Sequence, residues 1–71
     1  SLFFDAAWFD QQLAHRGLNR ADLAAAGGLD RQELHRLFTN QRTPTPAELG
    51  AFSRLLGMEI VEISLRGGVA E

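Results

Sequence analysis

The chain has 71 residues, 45% of them hydrophobic and 23% charged, with a formal net charge of -2 at pH 7 and no cysteine. That length lies near the lower bound for folding around one core, so these residues hold no second domain, and the composition is that of an ordinary globular protein. Without cysteine, disulfide staples and thiolate metal sites are excluded, which suits a reducing compartment.

No apolar run approaches the ~18 residues that span a bilayer, and the N-terminus lacks the basic-then-apolar build of a signal peptide. The protein is therefore expected to be soluble and cytoplasmic. It contains no internal repeat, low-complexity segment or flexible linker. The first element is a helix capped by Asp5, with Trp8, Phe9 and Leu13 pointing inward and Gly17 ending it after His15 and Arg16, cations well placed at its C-terminal dipole. Trp8, Phe9, Phe38 and Phe52 stand at helical spacing and read as core. Phe3 and Phe4 precede the first cap and are expected at the surface, available to cover a neighbouring subunit.

From Leu18 to Asn40 the chain carries two short capped helices. Asn19 and Asp22 have capping-box spacing and predict a helix from about Arg20 to Ala26. Asp30 and Glu33 repeat that spacing, and Leu34, Leu37 and Phe38 then form one apolar face. Gly27 and Gly28 are expected in the turn between the two helices, where positive φ and the lack of a bulky side chain are needed. Ala21, Ala24 and Ala25 keep the first helix of the pair slim, for a close crossing, and Arg31, Gln32, His35 and Arg36 remain on the outward face of the second. Such a pair is the signature of a helix-turn-helix.

The segment QRTPTP, residues 41–46, reads as a loop, and Thr45, Pro46 and Glu48 supply cap, N1 proline and N3 carboxylate for a fourth helix. Its buried face is Leu49, Phe52, Leu55 and Leu56, and Gly57 stops it. From Met58 to Leu65 the pattern is ambiguous: Val61, Ile63 and Leu65 alternate like a strand, whereas Ile60, Ile63 and Ser64 fit a short helix, which is favoured. Residues 1–66 are taken as the helix-turn-helix domain. Residues 67–71 are taken as a tail, and the run from Arg66 to Glu71 looks like the start of a linker to a C-terminal effector domain absent from the chain.

Five short helices with the capped pair second and third resemble the phage-repressor and Cro-type helix-turn-helix family, often called the XRE family. The resemblance runs from about Phe9 to Ile63. It is carried by the run Leu18 to Ala24, by Gly28-Leu29-Asp30 at the turn, by Leu34 and Leu37, and by the Pro-containing loop with Leu49, Leu56 and Gly57. It implies an all-α, compact five-helix lambda-repressor-like domain, and a sequence-specific DNA-binding transcriptional regulator of repressor type. Members lay the third helix in the major groove of double-stranded DNA, usually as homodimers on a two-fold operator. Carried over by position, Arg31, Gln32, Glu33 and Arg36 are the base-reading set. Arginine matches guanine O6 and N7, and glutamine matches adenine N6 and N7. Arg20, Thr39, Asn40, Arg42 and Thr43 are the implied contacts to the DNA backbone. Many members carry glycine where Asn40 stands, and a buried Arg–Glu pair where Leu13 and Phe38 stand. Asparagine tolerates the left-handed turn, and an apolar replacement of a buried pair leaves a core intact.

Charge is unevenly distributed along the chain. From Arg16 to Thr43 five arginines face three acids, whereas the rest has two arginines against six acids. The positive balance therefore lies on the segment expected to meet DNA. Asp22 and Glu33 also read simply as caps, with Glu33 accepting from a cytosine N4 as the lesser reading. His15 and His35 lack an i, i+4 partner, so no metal site and no cofactor are implied, and His35 is expected at a groove edge or in solvent. The chain has no nucleophile elbow, P-loop or paired-carboxylate pocket, so an enzyme is not expected. The competing reading is a protein-interaction module on the same frame, antitoxin-like or adaptor, that docks a partner through Phe3, Phe4 and the Val61, Ile63, Leu65 stripe.

Overall fold

A computed structural model describes residues 3–69. Its helices are α1 (Ala6–His15), α2 (Arg20–Gly27), α3 (Arg31–Phe38), α4 (Pro46–Leu56) and α5 (Ile60–Arg66), and the described residues contain no strand. The ambiguous segment after Met58 is thus a helix, with Ile63 buried and Val61 and Leu65 outside. No helix of the described residues is long and apolar enough to cross a membrane.

The helix starts follow the polar residues ahead of them. Asp5 accepts from the Trp8 N–H at 3.1 Å, and the Asn19/Asp22 and Thr45/Glu48 pairs form reciprocal capping boxes. At α3 the box is half made. Asp30 accepts from the Glu33 N–H at 2.8 Å, while the Glu33 carboxylate turns away to arginines. The helix ends are also alike: each is followed by a left-handed residue, and the next backbone N–H reaches back five positions, as from Gln41 to the Arg36 carbonyl at 2.8 Å.

Asn40 is the one non-glycine in these turns, at φ 61°, a conformation that a short polar side chain tolerates. It also does what no glycine can. Its Oδ1 accepts from the Phe4 N–H at 2.6 Å and its Nδ2 donates to the Phe4 carbonyl at 3.2 Å, clipping the N-terminal segment to the end of α3. The Asp5 N–H donates to the Arg66 carbonyl at 2.8 Å, so the same segment is tied to α5. These ties correct the expectation for Phe4, which is 2% exposed and stacks on Phe9 with ring centroids 4.5 Å apart. Phe3 is exposed, as expected.

Phe9 and Phe52 sit fully enclosed at the centre with Leu13, Leu23, Leu37 and Ile63. Leu13 and Phe38 both belong to this core, so apolar contact stands where the resemblance would put an ion pair. Gly27 is the second correction. It is the last residue of α2 rather than part of the turn, and a Cβ there would lie 3.0 Å from the Phe52 ring. The slim side of α2 thus admits α4, against which α2 chiefly packs, and Gly28 at φ 67° makes the turn. At the other end Gly67 is buried and Val69 packs on the core, whereas Ala70 and Glu71 of the tail lie outside the described residues.

Candidate functional site

The inner side of α3 is fixed by Leu37 and Phe38 in the core, and helical periodicity then sends Arg31, Gln32, His35 and Arg36 outward together. With Gln41 they line an open groove of about 580 Å³. Arg31 has no ion-pair partner among the described residues, and Arg36 has one long contact, Nη1 to Glu33 Oε2 at 3.3 Å. Both are exposed. Their charge is therefore available to a ligand that enters the groove.

Glu33 stands at the edge of this face, and its carboxylate is engaged from within the protein. Arg42 donates from Nε to Glu33 Oε1 at 2.7 Å, and from Nη1 and Nη2 to the two oxygens of Glu48 at 2.9 Å each. The guanidinium thus bridges α3 to the first turn of α4. Its planar fork suits two carboxylates at once. The Glu48 carboxylate raises the Arg42 pKa still further above its ordinary value, with Glu33 adding to it, and Arg42 in return holds the Glu48 carboxyl below its ordinary value. Arg42 also donates to the Thr43 carbonyl at 3.1 Å.

The other residues assigned to the DNA backbone divide by how they are held. Arg20, at the start of α2, forms a two-point pair with Asp10 on α1, at 2.9 and 2.7 Å, and its guanidinium lies 4.3 Å above the Phe38 ring. The hydrogen bonds to Asp10 raise the Arg20 pKa, and those from Arg20 lower that of Asp10. Both side chains remain largely in water, at 53% and 42% exposure, so the pair is open to exchange with another anion. Thr39 donates its hydroxyl to the His35 carbonyl at 2.7 Å, Asn40 uses its amide on Phe4, and Thr43 is exposed. Arg16 lies apart from the groove, donating to the Leu56 carbonyl at 2.8 Å and to Gln12.

The geometry therefore gathers Arg31, Gln32 and Arg36 on one surface, sets Glu33 at its edge under two arginines, and engages the side chains of Asn40 and Arg42 within the protein. His35 lies in the groove with them, as its place on the outward face of the helix implies, and Gln41 is the addition. Gln41 was missed because it lies past the helix end. The Asn40 turn was the available signal, since a left-handed residue there brings the following residue back beside the last helical turn.

The family model described as helix-turn-helix matches residues 11–63, from the middle of α1 into α5. No curated protein and no solved structure matches the chain.

Proposed function

We propose, on the premise that the chain belongs to the helix-turn-helix family and is thus a DNA-binding regulator, that it is a sequence-specific transcriptional repressor that reads duplex DNA with α3 in the major groove. The observation that carries this reading is the outward face of α3, where Arg31 and Arg36 flank an open groove and the acid of that helix, Glu33, is already met by Arg42 and Arg36. Arg31, Gln32 and Arg36 supply the base contacts. Arg20 and Thr43 meet the DNA backbone, while Glu33, Thr39, Asn40 and Arg42, all engaged within the protein, hold the reading helix in place. Likeness to the family, whose members dock as symmetric pairs, supports a homodimer on a two-fold operator with half-sites about one helical turn apart. With few arginines left unpaired near the groove, nonspecific affinity is weak at physiological salt, because each neutralised phosphate contributes through counterion release.

A second reading rests on a separate observation. Ile60, Val61 and Leu65 on α5 and Phe3 beside it are about half exposed or more, an apolar surface suited to a protein partner. The test is selection from a random duplex library at low and then physiological salt. Enrichment of a roughly palindromic motif is the expected result. No enrichment even at low salt would remove sequence-specific reading and leave the α5 surface as the better-supported site.

A further inference from the structure

Gln41 lies outside α3, yet its side chain lines the same groove as Arg31, Gln32, His35 and Arg36. Its position is set by the end of the helix. The Asn40 N–H donates to the Leu37 carbonyl at 3.1 Å, the Gln41 N–H donates to the Arg36 carbonyl at 2.8 Å, and Asn40 takes the left-handed conformation that joins them. The side chain is held as well. Gln41 Nε2 donates to Thr39 Oγ1 at 2.7 Å, and the Thr39 hydroxyl donates in turn to the His35 carbonyl at 2.7 Å. This short relay anchors an otherwise flexible amide to the last turn of the reading helix.

One N–H of the Gln41 amide is used in the relay, and no partner among the described residues takes its Oε1 or its second N–H. The groove therefore contains a fixed, neutral group with one free donor and one free acceptor. That combination matches the donor and acceptor that adenine shows in the major groove, and it differs from the point charge that suits a phosphate. We propose that Gln41 is a further specificity-determining residue, reading an adenine within each half-site, and that Thr39 is its positioning residue. This rests on the reading of α3 as the DNA-facing helix.

Selection from the random duplex library is run on the wild-type chain and on Gln41→Ala and Thr39→Val, with thermal melts of all three. In Gln41→Ala, one position of the wild-type motif is expected to lose its preference, about tenfold or more in discrimination, while the other positions and the salt dependence stay as they were. Thr39→Val should weaken the same position, by less, with an unchanged melt. A Gln41→Ala motif identical to the wild type, or a loss equal over all sequences, would overturn the proposal while leaving α3 as the reader. Absence of any wild-type motif would overturn both together.

Discussion

Replacing Arg31 and Arg36 together with alanine is expected to erase the selected DNA motif while leaving the fold intact. A well-formed arginine–guanine pair gives about 1–3 kcal/mol of discrimination. The two side chains together therefore control roughly 30-fold to 2 × 10⁴-fold in preference per half-site. Neither residue supports the core. Arg31 makes no ion pair among the described residues, and Arg36 gives up one exposed contact at 3.3 Å, so the melt should move by no more than about 0.5 kcal/mol in stability. Arg54→Ala is the control. Arg54 is an exposed arginine on α4 outside the groove, and its loss should lower affinity slightly and equally for all sequences. A double variant that kept the wild-type motif at reduced overall affinity would show that the two arginines bind phosphate and do not read bases.

The second large effect concerns the core. Phe9→Ala should leave the chain unfolded or without a cooperative melt at 25 °C. The Phe9 ring is completely buried, stacks on Phe4, and meets Trp8 and Phe52 edge to face with centroids at 4.9 and 6.0 Å. Removing such a side chain costs about 3–5 kcal/mol. A single core in a chain of this size supplies a total stability of only about that amount. Circular dichroism on heating checks the expectation, with Val61→Ala as comparison, since Val61 is 67% exposed and its truncation should leave the melt almost unchanged. A cooperative Phe9→Ala melt within a few degrees of the wild type would mean that the aromatic cluster does not hold the domain together.

Local chemistry made the fold legible in the residues. Asp5, Asn19, Asp30 and Thr45 are caps in the structure at the helix starts they predict, because a side-chain oxygen ahead of an apolar period satisfies backbone N–H groups that nothing else reaches. Features governed by distant parts of the chain were less visible. Phe4 looked exposed because its cover comes from Phe9, Phe38 and the Asn40 amide, the last lying 36 residues away. Gly27 looked like a turn residue because the Phe52 ring that needs the space belongs to α4. The groove followed a similar division. Arg31, Gln32 and Arg36 were legible from helical periodicity once the apolar side of α3 was known. The engagement of Glu33 by Arg42 was not, since it joins α3 to the start of α4 through a loop whose path leaves no periodic trace.

The most direct measurement is a map of backbone amide chemical-shift changes on the wild-type protein as a short random-sequence duplex is added at low salt. Reading by α3 predicts the largest changes at Arg31, Gln32, His35, Arg36 and Gln41, with smaller ones at Arg20 and Thr43 and little change from Ile60 to Leu65. Changes confined to α5, or none at all, would contradict the assignment of α3 as the DNA-facing surface.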